Sequence, residues 1–256
     1  MFNDPVTTVL LVLGVVVVGI AKSGFGGGLV IVAVPLLSGV MTVDRALGVM
    51  LPVLIAADAA AVLQHRRFAR LGRLGPMLLG ATGGVLLATL GMAALRTPAG
   101  FGPALGLTVG AVCLLLVAVQ LYRLSGARVP RLPDTRPAAA AAGGLAAVSS
   151  TLAHSGGPVM AVYCLDQRMD KRTLVATLAV FFAVLNAMKV PGYVALGLID
   201  TATLKTSALL LPVVPIGAVL GLWLHHRVPE RPFMLLMYLG AGAGGAHMVF
   251  AAVTSG

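Results

Sequence analysis

The feature that most restricts this chain is its series of long uncharged runs. Segments 6–21, 29–41, 74–95 and 100–122 contain no charged residue, and 46–63 contains one, Asp58. In the second half, 138–165, 206–224 and 232–253 are again free of Asp, Glu, Lys and Arg, while 173–199 holds only Lys189. About 18 apolar residues in a row suffice to cross a bilayer, and a chain with several such runs reads as a polytopic membrane protein. Charged residues make up 10% of the sequence, against roughly 25% in soluble domains. Only helices and closed barrels satisfy their backbone groups in lipid, and runs of this length are helical, so the expected class is all-α.

The net charge of +10 does not point to nucleic acid. The bases cluster in short loops between apolar runs, with no aromatic residues interleaved for stacking, which is the pattern that sets membrane orientation. Cys113 and Cys164 lie in apolar segments without a CxxC pair, so neither a redox motif nor a metal site is expected. No cofactor is implied. The opening Met1-Phe2-Asn3-Asp4 lacks a basic n-region, so the first apolar run is expected to be retained.

A basic stretch around 127–137 divides the chain into a first repeat, 1–126, and a second, 138–256. The two resemble each other in outline. Each opens on a long apolar segment interrupted by small residues, and the spacing from Arg45 to Asp58 (13 residues) is close to that from Arg172 to Asn186 (14). Segment 6–41 would be ~54 Å long as one straight helix, too long for a hydrocarbon core of ~30 Å. It is either one broken span or a hairpin, and 138–165 poses the same choice.

Loop charge favours hairpins. If all eight segments cross, nine loop bases fall on one side and seven on the other. If the two broken segments turn back, thirteen bases, among them Arg66, Arg67, Arg123, Arg136, Lys171 and Arg227, gather on one side and only Arg45, Arg96 and Lys205 on the other. The basic side is then cytoplasmic, and both termini face out. Each half becomes a broken hairpin, re-entrant or made of short helices, plus three transmembrane helices. An odd number of crossings makes the halves inverted repeats, an arrangement common in secondary transporters.

The breaks are the strongest site candidates. Backbone that leaves helix at membrane depth must be buried in protein or line a cavity. A helix restarting after glycines offers free N–H groups to an anion. The first break contributes Lys22, Ser23, Gly24, Gly26, Gly27 and Gly28, and the second His154, Ser155, Gly156 and Gly157, with Pro158 fitting a first helical turn. Asn186 and Lys189 lie three apart on one helical face. Asp58, the one carboxylate within a span, is a candidate for a charge pair with a lysine or for a coupling proton or sodium ion. Plainer alternatives stand beside these: glycines such as Gly83 and Gly84 that only let helices approach, a Lys22 that snorkels to the interface, and a His247 that only packs.

The series Gly19, Lys22, Gly24, Gly26, Gly27, Gly28 followed by Pro35-Leu36-Leu37 resembles the first-repeat signature of the TauE/SafE family, named for sulfite and sulfoacetate export. Gly156-Gly157-Pro158, Asp170-Lys171-Arg172-Thr173-Leu174, Phe181-Phe182, Asn186, Lys189 and Tyr193 resemble its second repeat. The resemblance runs to about residue 225. Ser155, where a glycine is expected, and Val159, where a second proline is usual, depart from the pattern and bear on the shape of the pocket. The resemblance implies a permease of the cell inner membrane for a sulfur-containing anion: sulfite, thiosulfate or an organosulfonate. A passive anion channel is the alternative. An intramembrane enzyme or assembly factor lacks a recognisable catalytic set. The partners expected are a small anion and the bilayer, with a coupling proton or sodium and a homodimer compatible with the sequence.

Overall fold

A computed structural model describes residues 4–24, 28–69, 71–96, 101–126, 133–166, 171–227 and 230–254. All regular structure among them is helical. The first half comprises α1 (Pro5–Gly24), a 3₁₀ turn (Gly28–Val32), α2 (Ala33–Ser38), α3 (Val43–His65), α4 (Leu71–Ala94) and α5 (Phe101–Leu124). The second comprises α6 (Arg136–Ala153), α7 (Gly156–Asp166), α8 (Lys171–Ala195), α9 (Thr201–Leu210), α10 (Val213–Arg227) and α11 (Glu230–Thr254).

Six helices, α1, α3, α4, α5, α8 and α11, are long and apolar enough to cross a membrane. The pair α9–α10 makes a seventh candidate, bent by 48°. This corrects the expectation of an unbroken crossing over 206–224. Pro212 lacks the N–H that would bond back one turn and its ring crowds the preceding carbonyl, so the helix ends and restarts. At the other extreme α7 has 11 residues and reaches only ~17 Å, about half of the hydrocarbon core. Large apolar side chains on the outer faces, such as Leu79, Leu86, Leu87, Leu90, Leu115, Val219 and Phe250, are well over half exposed. A soluble protein would bury such a surface, whereas in a bilayer it meets acyl chains.

Helix starts follow from local chemistry. Asp4 accepts from the Thr7 N–H at 2.9 Å, Thr135 accepts from Ala138, and Asp200 and Thr203 form a reciprocal capping box. These side chains satisfy N–H groups that a helix start leaves open. Asp200 lies outside the spans, and the Thr203 N–H and hydroxyl hold its carboxyl below the usual carboxylate range.

Two seams rest on missing side chains. On α4 and α6, a Cβ at Gly80 would lie 1.8 Å from the Ala140 carbonyl oxygen, one at Gly84 2.4 Å from that of Gly144, and one at Gly143 2.0 Å from that of Met77. On α1 and α10, a Cβ at Gly19 would meet the Gly217 backbone at 2.7 Å, and one at Gly217 the Val16 oxygen at 2.6 Å. Gly80–Ala140 is followed by Gly84–Gly144, and Val16–Gly217 by Ile20–Gly221, so in both pairs the helices run parallel. The packing role suggested for Gly84 is thus what is seen, while Gly83 faces open space. In contrast α5 and α11 are antiparallel, with Gly106 beside Met248 and Gly110 beside Gly245. The central pair, α3 and α8, is also antiparallel, linked by Asp58–Asn186 and by Gly48 against Leu198.

These contacts fix which loops share an end of the bundle. The chain between α2 and α3, the start of α5 and the end of α11 line one cleft. Arg96, after α4, donates to the Leu196 carbonyl after α8. Ser207 of α9 donates to the Val49 carbonyl of α3 at 2.8 Å. Arg45, Arg96 and Lys205 are therefore at one end, and Arg67, Arg123, Arg136 and Arg227 at the other. The α1 hairpin enters from the first of these ends and returns to it, since Gly14 of α1 faces Leu37 of α2. The α6 hairpin enters from the opposite end. Exchanging α1 with α6, the first turn and α2 with α7, α3 with α8, α4 with α9–α10, and α5 with α11 carries each main helix pairing onto another.

Candidate functional site

The two breaks face each other beside the central pair. α7 packs against the 3₁₀ turn of the first break, and α3 and α8 each turn one stripe toward them. On α3 the stripe is Leu47, Leu51, Leu54, Asp58 and Ala61. On α8 it is Phe182, Asn186, Lys189 and Tyr193. The steps of three and four place each series on a single face, and every one of these residues is buried.

In the first half, the Lys22 ammonium meets Asp58 Oδ1 at 2.5 Å and lies 4.5 Å from the centre of the Phe182 ring. Lys22 is buried, so it does not snorkel to an interface. Asn186 donates through Nδ2 to the other Asp58 oxygen at 2.6 Å, and the Asn186 carbonyl oxygen is buried with no hydrogen-bond partner among the described residues. Ser23 stands apart from this cluster. Its hydroxyl donates within α1 to Gly19 and across the seam to the Ala218 carbonyl, at 2.8 and 2.9 Å.

The second half is built differently. Lys189 is completely buried, at 0% exposure. It donates to the Ser150 carbonyl at 3.1 Å and the Ser150 hydroxyl at 3.0 Å, and its Nζ lies 3.2 Å from His154 Nδ1. His154 Nε2 lies 3.0 Å from the Leu47 carbonyl. A carbonyl only accepts, so Nε2 carries the hydrogen and Nδ1 accepts from Lys189. Lys189 thus has only neutral hydrogen-bond partners among the described residues. Tyr193 donates to the Thr151 carbonyl at 2.6 Å, which anchors the end of α6 to α8.

His154 itself ends α6 in the left-handed region, φ 51°, and it is the one non-glycine residue with positive φ among those described. Glycine is usual at such a cap, and another residue there carries ~1–3 kcal/mol of backbone strain. The reward is placement: the turn swings the imidazole between Lys189 and Leu47. Ser155 uses its hydroxyl to donate to the Ser149 carbonyl at 3.0 Å. Gly156 and Gly157 open α7, whose start leaves N–H groups without helical partners.

The first break differs from expectation. Gly26 and Gly27 lie outside the described residues. Gly24 ends α1, and Gly28 begins a 3₁₀ turn rather than an α-helix. Pro35 supplies the reason: in an α-helix its ring would collide with the Ile31 carbonyl and it could not bond back to it. The α-helical restart that follows, α2, has only six residues. Two facing α-helical N-termini were expected, and one, that of α7, is present.

A cavity of about 10 Å³ separates the breaks, lined by Lys22, Val30, Leu54, Ser150, His154, Gly157, Phe182 and Asn186. By this measure one water needs roughly 10–15 Å³, so the site is closed around a space of about that size. Four of these eight, Lys22, His154, Gly157 and Asn186, are among the site candidates read from the sequence. Ser150 and Phe182 are not among the binding candidates, although Ser150 offers a hydroxyl one turn before His154 and Phe182, part of the second-repeat motif, stands one turn before Asn186. His247 is exposed on α11 and lines the distant cleft, so it is neither a packing residue nor part of this site.

The family model described as sulfite exporter TauE/SafE matches residues 11–248. The chain belongs to the TauE/SafE family. The match takes in both breaks, the central pair and α11, well past residue 225. No curated protein and no solved structure matches the chain. Membership makes this TauE/SafE chain a membrane permease of the sulfite-exporter kind, and its helices agree.

Proposed function

We propose that this protein is a secondary transporter of a sulfur-containing anion, sulfite, thiosulfate or an organosulfonate, and that it binds the anion between the two breaks. One observation carries the reading. Lys189 is a fully buried lysine whose hydrogen-bond partners among the described residues are all neutral, while the carboxylate nearby is already shared by Lys22 and Asn186. A buried cation is costly unless paired. An anion beside Lys22, Lys189 and the start of α7 would supply the missing charge and accept the open N–H groups of Gly156 and Gly157.

The halves serve as inverted repeats around this point, with their hairpins entering from opposite ends. The end bearing Arg67, Arg123, Arg136 and Arg227 faces the cytoplasm. Alternating access by rocking of the hairpins against the remaining helices suits such a plan.

Thermal melting of purified protein with sulfite, thiosulfate, sulfate and several sulfonates tests the proposal, because a ligand that binds only the folded state raises its stability. The expected result is a rise in melting temperature with at least one sulfur anion that disappears in Lys189→Ala and Gly157→Leu. Equal stabilisation of the wild type and both variants would remove these residues from the site. A C-terminal reporter active only outside the cell is expected, and cytoplasmic activity would overturn the orientation.

A further inference from the structure

Asn186 offers the cavity between the breaks a group that its other polar walls lack. The residue is buried and borders this space of about 10 Å³. Asp58, paired with Lys22, is a carboxylate and only accepts, so the Asn186 amide must present Nδ2 to it, as it does at 2.6 Å. Asp58 is not part of the cavity lining. The amide therefore turns its nitrogen away from the cavity and leaves Oδ1 on the cavity side, buried and with no hydrogen-bond partner among the described residues. The remaining polar groups of the lining are donors. The Ser150 hydroxyl accepts from Lys189 and keeps its own hydrogen to give. The Gly157 N–H lies in the first turn of α7, where helical partners are missing. Lys22 has donors only. His154 has both ring nitrogens engaged, by Lys189 and by the Leu47 carbonyl. One acceptor thus stands among donors. Its placement does not depend on the hairpins, because Asn186 and the carboxylate that orients it both belong to the central pair, α8 and α3.

We propose that Asn186 is a specificity-determining residue: its carbonyl oxygen selects an oxyanion that still carries a hydrogen, such as hydrogen sulfite, over oxyanions that are fully ionised. The assignment rests on the reading of the space between the breaks as the anion site, and it adds the protonation state of the ligand to that reading. A fully ionised sulfite, sulfate or alkanesulfonate has acceptors only. It serves Ser150, Gly157 and the lysines, but it sets an oxygen against Oδ1 and keeps that atom unpaired. An anion with one O–H serves the same donors and gives its hydrogen to Oδ1. An acceptor left unpaired in a buried site weakens binding by about fivefold to 150-fold, and a site built to hydrogen-bond a ligand hydroxyl discriminates strongly against the analogue without it. Coulomb attraction works in the opposite sense, since two lysines favour the more highly charged anion. Preference for the hydrogen-bearing form is therefore a signature that attraction to the lysines does not produce.

The test compares two monoanions of one shape that differ by one hydrogen. At mildly acidic pH hydrogen methylphosphonate carries an O–H where methanesulfonate carries a bare oxygen. Their dissociation constants are measured on purified protein by competition with sulfite. Hydrogen methylphosphonate is expected to bind at least about fivefold more tightly. Equal or weaker binding overturns the proposal, because Oδ1 would then be satisfied by water alone, for which the cavity has room. Sulfite gives a second arm. Raising the pH converts hydrogen sulfite into the dianion, and binding is expected to weaken by a similar factor relative to methanesulfonate. Methanesulfonate keeps its charge throughout and so reports any titration of Lys22, Asp58, His154 and Lys189, the groups that face the site from α1, α3, the end of α6 and α8. Sulfite binding that holds or strengthens as pH rises overturns the proposal. Asn186→Leu removes Oδ1, and the preference should vanish in it; a preference that persists in this variant, shown folded by its ligand-free melting, also overturns the assignment. The wild-type arms decide the matter even where the variant does not fold. Failure of sulfite and of every other anion to bind is the distinct result that removes the parent reading.

Discussion

The two halves place a lysine at the same point by opposite means. In the first, the broken helix supplies Lys22, and α3 supplies Asp58 with Ala61 one turn on. In the second, α8 supplies Asn186 with Lys189 three residues on, and the broken helix supplies Ser150. Asp58 corresponds to Asn186 and Ala61 to Lys189, so the cation has moved from the hairpin to the helix behind it. One half balances its lysine with a carboxylate, the other leaves its lysine among neutral groups. The two lysines and one carboxylate sum formally to +1 at the centre, which is the basis of the proposed anion site, and the excess arises because the second half lacks the acid of the first.

The sharpest way to break this contrast is to make the halves alike. Asp58→Asn leaves Lys22 without its carboxylate, and stripping one partner from a buried pair costs about 3–5 kcal/mol. A large fall in melting temperature is expected. Replacing both partners, Lys22→Met with Asp58→Leu, should recover most of it, and a double variant no better than the single would show that the pair is not the reason. Lys189→Met should behave in the reverse sense. It removes a lysine that no acid touches among the described residues, so melting without anion should hold or rise while anion-induced stabilisation disappears. A large loss of ligand-free stability would mean Lys189 is structurally compensated after all.

The seams offer a finer comparison. Gly80→Ala on α4 and Gly217→Ala on α10 each force a methyl into backbone, and overpacking of this kind costs about 1–3 kcal/mol. The α4–α6 approach is the closer, 1.8 Å against 2.6 Å for the added Cβ, so Gly80→Ala should melt at the lower temperature. Reversal of that order would show the α1–α10 seam to be the stiffer. The smallest effect belongs to Asp200. Its carboxyl is held below the ordinary range by Thr203, so its stabilising contribution is present above the unfolded carboxyl value near ~3.9 and is lost as pH falls through the lowered folded value. Asp200→Asn keeps a competent cap and should lower melting slightly at neutral pH while flattening the acid side of the profile.

Much of this was legible in the chain and some was not. Membrane spans announce themselves because the bilayer demands length and apolarity of each segment independently. Lys22, Asp58, Asn186 and Lys189 stand out because polar groups in such segments are rare and expensive. Their partners do not stand out. Lys22 and Asp58 are 36 residues apart, and nothing in either segment says which acid meets which base. The Leu47 carbonyl that fixes the His154 ring is a backbone atom, which no residue type reveals. The bend before α10 had a visible cause in Pro212 and Pro215, as did the 3₁₀ turn in Pro35. In both places apolarity was read more heavily than proline. Ser150 and Phe182 follow from helical spacing once the neighbouring site residue is granted.

The seams also determine what can fold alone. The hairpin helix α1 beds on α10, from the other half, and α6 beds on α4, again from the other half. Each half therefore carries the main cradle for its counterpart's broken segment. Cut at the 127–137 connection, the chain would yield two fragments that each display a naked glycine face, and that need one another to persist in the membrane as ordered bodies. The connection tethers two mutually dependent parts, whose assembly is as much an act of binding as of folding.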